Sequence, residues 1–253
     1  VTELSPFLLA SIRFLTAGFL ILIIAKVLKK SLVISKKQLL NTLISGFLFL
    51  VYGNGVFVWA LKYVDSGFAS LLASTQPLFV LLLLRLIDQK QMQKKSIIGV
   101  LLGVFGMYLL VSQSEIAVSK ESLLGIFMMF TCVLSWSYGS VFVSKADLPK
   151  NFFVSTGYQM ITAGIVLIIA SLGFDEAWLS PTSWSFKVQG SMLFLITFGS
   201  ILAFTSFNYL LKSVSPEKVS TSAYVNPIIA MFLGWYFLNE EFTTQSIVAS
   251  VVL

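Results

Sequence analysis

Long apolar runs separated by short polar connectors set the pattern of this 253-residue chain. The runs are continuous and do not alternate with period two, so they predict membrane-crossing helices and not barrel strands. Eight are read, at about 6–28, 38–61, 66–87, 96–112, 122–144, 152–173, 190–211 and 219–241. The longest connector, 174–189, carries Asp175, Glu176, Trp178, Pro181 and Trp184. A ninth run opens at Thr243 and reaches about 16 Å by Leu253 at 1.5 Å per residue, about half of a hydrocarbon core. The third and eighth runs hold a polar amide beside a helix breaker near mid-depth, Gln76-Pro77 and Asn226-Pro227.

Charge in the connectors orients the runs. One alternating set holds Lys26, Lys29, Lys30, Lys36, Lys37, Arg85, Lys90, Lys94, Lys95, Lys145, Lys150, Lys212 and Lys218; the opposite set holds Lys62, Lys120 and Lys187. The basic set is expected on the cytoplasmic side, which starts Val1 outside. Trp59, Trp178, Trp184 and Trp235 then fall near the outer interface, where aromatic belts sit.

Composition narrows the class. Charged residues are 11% of the chain and hydrophobic ones 57%, against about 25% charged in soluble domains; mean hydropathy is +0.91. The excess of six positive charges follows the connectors, so it marks topology and not nucleic-acid binding. There is no histidine, which removes histidine acid–base chemistry and histidine metal sites. The single cysteine, Cys132, lies inside a run and reads as a small core residue. No cofactor or metal is expected.

The chain repeats itself. Thr16-Ala17-Gly18 matches Thr162-Ala163-Gly164 at an offset of 146, and Leu61-Lys62 matches Leu211-Lys212 at 150. The second register holds through Ser70/Ser220, Ala73/Ala223 and Pro77/Pro227. The run with Pro77 is read as crossing from outside to inside and the run with Pro227 the other way. The expected architecture is therefore an all-α, polytopic transmembrane bundle of two inverted five-helix repeats, residues 1–117 and 118–253, with the substrate site near mid-membrane at the repeat interface. The fifth run has no partner in the first half. A ten-helix protein is expected, of which this chain lacks the first helix and most of the last.

The stretch Ile201–Ala230 (ILAFTSFNYLLKSVSPEKVSTSAYVNPIIA), with Gly234-Trp235 and Glu240, resembles the EamA-like family of the drug/metabolite transporter (DMT) superfamily. The resemblance covers essentially the whole chain. It implies ten helices, two repeats, cytoplasmic termini and carriage of small metabolites, often outward. One departure is evident. The family usually has Glu thirteen residues after the repeat proline; Glu240 meets that, whereas Lys90 stands there in the first half.

Arg13 is the ionisable side chain set well inside a run, and its repeat mate is Gln159. Buried ionisable groups in membranes usually face a bundle interior or a wet cavity. Arg13 is read as attracting an anionic group such as a substrate carboxylate, against a structural anchor to backbone carbonyls or a side chain snorkelling outward. The substrate pathway is expected to include Arg13, Asn54, Gln76, Trp136, Tyr138, Gln159, Asn208, Tyr224 and Asn226, each with helix packing as its alternative use. Pro77 and Pro227 are the expected hinges, each leaving a carbonyl four residues back, at Ala73 and Ala223, without its usual partner. Gly99, Gly103 and Gly106 form a small-residue face for helix packing, compatible with a homodimer contact. Glu240 and Glu241 read as capping or solvated groups. No Asp or Glu lies at mid-membrane, so uniport, or coupling through substrate charge, fits better than a buried proton-carrying carboxylate.

Together these imply a multi-pass carrier of the inner (plasma) membrane and not an enzyme. It would move small organic metabolites, amino acids or related or drug-like compounds, outward by alternating access. Its partners are the solute and the lipid bilayer. The rival is a non-transporting scaffold or assembly subunit.

Overall fold

The computed structural model describes residues 3–89, 98, 99, 102, 105, 120–233, 235, 236, 244, 247 and 248. Every regular element among them is helical: α1 Pro6–Val27, α2 Lys36–Gly46, α3 Phe57–Ala60, α4 Ser66–Ala73, α5 Gln76–Asp88, α6 Lys120–Lys145, α7 Phe152–Gly173, α8 Phe186–Phe194, α9 Thr205–Ser213, α10 Pro216–Ser220 and α11 Val225–Leu233. Two π-helical segments, Phe47–Val56 and Leu195–Phe204, join α2 to α3 and α8 to α9. Six of the described spans are long and apolar enough to cross a membrane, namely Pro6–Val27, Lys36–Ala60, Phe68–Asp88, Lys120–Lys145, Phe152–Gly173 and Phe186–Ser213. The expected face Gly103 and Gly106, and the Lys90/Glu240 pair, lie outside the described residues, as does most of the fourth run. Gly99 is helical and would meet no described atom if it carried a Cβ.

The fold divides into two compact units, Val1–Trp59 with Phe142–Val214, and Ala60–Val141 with Ser215–Leu253. Each draws helices from both halves of the sequence.

In the first unit, α1 and α7 pack along their length. Both have 22 residues, both start close to a polar cap, and both end the same way. Lys29 and Asp175 take left-handed φ of 55° and 50°. Lys29 and Lys30 N–H bond to the carbonyls of Lys26 and Ala25, and Asp175 and Glu176 N–H to those of Leu172 and Ser171. This is the Schellman stop, here without glycine. The next helices begin alike: Ser35 caps α2 by accepting from Gln38 N–H, and Ser185 caps α8 by accepting from Val188 N–H. Residue contacts run antiparallel. A Cβ on Gly18 would lie 2.8 Å from Ile161 Cγ1, and one on Gly164 would lie 2.5 Å from Leu15 Cγ. Since 15 and 18 map to 161 and 164 at the offset of 146, each half makes the other's contact in return. α1 carries apolar residues on opposite faces; Phe14, Ala17, Ile21 and Ala25 are buried, while Phe19, Leu20, Ile23 and Ile24 are exposed, as suits a helix with lipid on one side.

In the second unit the expected kinks are true breaks. α4 stops at Ala73, and α5 restarts at Gln76 with Pro77 in its first turn. The later counterpart is α10, a 3₁₀ turn Thr221–Tyr224, then α11 with Pro227 as its third residue. A proline in a first turn needs no backbone partner, so each proline opens a new helical segment and does not bend a continuous helix. Hydroxyls add a second set of bonds to carbonyls at both breaks. Ser74 and Thr75 Oγ donate to Leu71 and Leu72 carbonyls, both at 2.6 Å. Ser220, Thr221 and Ser222 donate to Glu217, Lys218 and Val219 carbonyls at 2.9, 2.7 and 2.8 Å. Such hydroxyls and 3₁₀ adjustments make broken helices tolerable at membrane depth. α4 packs against α11 while α5 packs against α10, so the two broken helices run in opposite directions. Val80, Leu84 and Val141 form a small core beside Leu83, and Phe79 meets Phe130 edge-on at 5.3 Å. Connector 174–189 also differs from its expected extent: Pro181–Ser183 forms a short turn, and α8 already begins at Phe186 because Ser185 caps it.

Candidate functional site

Polar groups inside the first unit form two interhelical links. Gln159 is fully buried. Its Nε2 donates to Ser45 Oγ at 2.8 Å, and its Oε1 accepts from Asn208 Nδ2 at 2.9 Å. The amide therefore ties α7 to α2 on one side and to α9 on the other. Asn208 also donates to the Phe204 carbonyl at 3.3 Å. Gln159 and Asn208, both expected in the pathway, are brought together, and both ends of the Gln159 amide are occupied by protein. Asn208 Oδ1, Thr205 Oγ1 and Thr156 Oγ1 are buried without a protein partner.

The second link is built from Arg13. Its Nε donates to Ser200 Oγ at 2.7 Å, and its guanidinium carbon sits 5.0 Å from the centroid of the Phe14 ring. Ser200 is fully buried in the second π-helical segment. Gly199 beside it leaves room: a Cβ there would come within 3.1 Å of Arg13 Nη2. An arginine at the centre of a span costs about 2.5–3.5 kcal/mol on insertion scales. Among the described residues no carboxylate is recorded against this one. By repeat register, Arg13 on the first helix reaches the second half's π-bearing span, and Gln159 reaches the first half's. The paired π segments went unseen in the sequence reading. They recur at an offset of 148, and π-helical turns are frequent at functional sites. Asn54 lies in the first of them with Oδ1 buried and unpartnered.

In the second unit the break before Pro77 carries Gln76, whose Nε2 is buried without a partner. Its carbonyl faces Ser137 Oγ of α6 at 3.4 Å; Ser137 also donates to Val133. Trp136 is half-buried on the same helix, and Tyr138 is exposed. At the other break Tyr224 is half-buried and Asn226 exposed. Thus Gln76, Ser137 and Trp136 share a neighbourhood, while Arg13, Asn54, Gln159 and Asn208 belong to the other unit.

One residue missed as functional is Glu176, in the loop after α7. Its carboxylate accepts from the N–H groups of Phe7 and Leu8 at 3.1 and 2.9 Å and from Ser171 Oγ at 2.8 Å. Trp178 Nε1 donates to the same Ser171 hydroxyl. Ser5 donates to the Ala177 carbonyl, and Ser185 donates to Glu3. Phe7, Trp59 and Phe174 close over this end with centroids 4.6–5.6 Å apart. An anion at the first turn of α1 is favoured by the exposed N–H groups and the helix dipole. Glu176→Ala is expected to lower stability by about 1 kcal/mol, as cap removal does, read as a lower unfolding temperature in detergent; an unchanged temperature would show that the cap contributes nothing.

Apolar spans with a broken helix in each half and polar side chains held inside them define a polytopic helical membrane protein. The chain belongs to the EamA-like transporter family, whose profile matches residues 1–112 and 123–253. It is 34% identical over 231 residues to YedA, an inner membrane transporter of Escherichia coli (strain K12), covering 90% of this chain and 72% of that protein. It is 21% identical over 253 residues to the transporter YoaV of Bacillus subtilis (strain 168), covering 100% and 86%. It is 26% identical over 250 residues to protein PecM of Dickeya dadantii (strain 3937), covering 98% and 80%. A crystal structure shares the fold with a TM-score of 0.72 at 17% identity, covering 98% of this chain and 84% of that one. The protein is therefore a multi-pass inner membrane transporter.

Proposed function

We propose that this transporter moves small organic metabolites, amino acids or related or drug-like compounds, outward by alternating access, with its two sequence halves acting as inverted repeats that flex at Pro77 and Pro227. The observation that carries this reading is the duplicated helix break before Gln76-Pro77 and Asn226-Pro227, each sealed by its own hydroxyls. The opposite directions of the two broken helices, and the reciprocal Gly18/Ile161 and Gly164/Leu15 contacts, support the inversion. Broken helices supply backbone polar groups at the depth where carriers bind their solutes. Asn54, Gln76, Trp136, Tyr138, Tyr224 and Asn226 are assigned to the pathway with Arg13. Gln159 and Asn208 contribute by holding helices together. Coupling through solute charge, or uniport, fits a chain with no acid at mid-membrane.

The test is flux from proteoliposomes containing the full-length protein, across a broad metabolite panel. Pro77→Ala and Pro227→Ala are expected to keep expression and to slow flux roughly tenfold, equal to about 1.4 kcal/mol on the barrier. Normal flux in both variants would sink the hinge. No flux of any solute in wild type, together with a stable partner complex, would favour a scaffold.

A further inference from the structure

We infer that the two terminal nitrogens of Arg13 bind the carboxylate of the transported solute, with Ser200 as the positioning residue; this rests on the transporter reading and names its substrate class. A guanidinium offers five N–H donors in a planar fork. Nε is committed to Ser200 Oγ at 2.7 Å, which fixes the plane and excludes the side-on mode that uses Nε. The end-on edge, Nη1 with Nη2, remains. No protein acceptor for it is recorded among the described residues, and this edge matches a carboxylate with two parallel bonds. Nη2 lies over Gly199, where a Cβ would come within 3.1 Å of it and within 3.6 Å of Leu195 Cδ2, so the absent side chain is what lets the guanidinium sit there. The Phe14 ring offers an apolar, cation-compatible surface beside it.

The repeat supplies the control. Gln159 occupies the equivalent position and also bonds the other half's π-bearing span, at Ser45 of α2, seven residues before the counterpart of Ser200. It does so with a neutral amide that is fully buried and used at both ends. Linking two helices here therefore requires no charge. Arg13 is half-buried, positively charged and bonded through one nitrogen of three. The charge serves something other than packing.

The chain has two arginines, Arg13 and Arg85, so arginine-selective labelling can be read residue by residue. In the full-length protein, phenylglyoxal modification of each arginine-bearing peptide is followed by mass spectrometry. The probes are phenylacetate and N-acetyl-L-leucine, each beside its primary amide. Arg13 is expected to react and to be protected by the carboxylates but not the amides, while exposed Arg85 is unaffected. Anionic-solute flux is expected to fall at least about a hundredfold in Arg13→Gln, as for the loss of two charge-assisted hydrogen bonds, with partial retention in Arg13→Lys. A glutamine stands at the repeat-equivalent position 159, inside a packed helix, and Arg13→Gln is expected to fold, which the unfolding temperature of the variant checks. Ser200→Ala should raise KM for the anion more than it lowers kcat. An Arg13 that does not react, or equal protection by acids and amides, or wild-type anion flux in Arg13→Gln, overturns the proposal while leaving a transporter. Carboxylate protection without flux of any solute would keep the site and overturn the transport reading.

Discussion

Gly46→Val is expected to destabilise the protein by about 2–6 kcal/mol and to leave little monodisperse material in detergent. The estimate adds overpacking, about 1–3 kcal/mol, to one disrupted buried hydrogen-bonded link, about 1–3 kcal/mol. Gly46 closes α2 where its backbone meets that of α7. A Cβ there would lie 2.8 Å from the Gln159 carbonyl oxygen and 3.2 Å from its Cα. Backbone of a packed helix cannot swing away as a side-chain tip can, so α2 must retreat. The retreat also moves neighbouring Ser45 from the Gln159 amide, which sits 2.8 Å from it. Gly190→Val is the matched control. Nothing lies within 4 Å of a Cβ at Gly190, and its effect should stay within about 0.5 kcal/mol, as for a surface change. Unfolding temperature and elution profile of the two variants decide the point. Equal behaviour would mean that the approach of α2 and α7 carries no weight.

How far the fold was legible follows from which signal each element leaves. Lipid demands apolar side chains over a fixed length, so hydropathy placed α7 at its observed bounds and α1 within a residue. The π segments leave no such mark, because a change from i→i+4 to i→i+5 bonding keeps the same apolar residues. The helix stops at Lys29 and Asp175 also hide, since they take the left-handed conformation without the usual glycine. The breaks were half visible. The prolines announced them, but the hydroxyls before the prolines determine where the chain turns. At the site, Arg13 stood out by charge alone. Its partner Ser200 is 187 residues away, and nothing local in Phe198-Gly199-Ser200 points back to it. Glu176 was one of several polar residues in the connector until the fold set it at the start of α1, across 168 and 169 residues of chain. Gln159 and Asn208 were correctly noticed as polar groups in apolar runs. Whether they met a solute or one another depended on the antiparallel packing of helices that a single sequence does not state.

Gln159→Ala is expected to cost about 2–4 kcal/mol, against about 1–2 kcal/mol for Gln159→Leu, and the difference separates packing from polar linkage. Alanine removes the side chain from a site with no exposure and leaves a cavity, which for large-to-small changes costs about 2–5 kcal/mol in tightly packed cores. Leucine fills much of that volume and loses the two hydrogen bonds. The loss is softened because Ser45 keeps its bond to the Thr42 carbonyl and Asn208 keeps its bond to the Phe204 carbonyl. Within membranes such interhelical bonds average about 0.6 kcal/mol and reach about 1.7, which sets the leucine figure. A double-mutant cycle of Gln159→Leu with Asn208→Leu should give a coupling in that range, because the bond is lost once and not twice. Replacing both partners by apolar groups should cost less than the sum of the single changes, since an orphaned buried amide is dearer than none. Strict additivity in thermal unfolding would show that Gln159 and Asn208 do not act on each other, and the link between α7 and α9 would have to be sought in their apolar contacts.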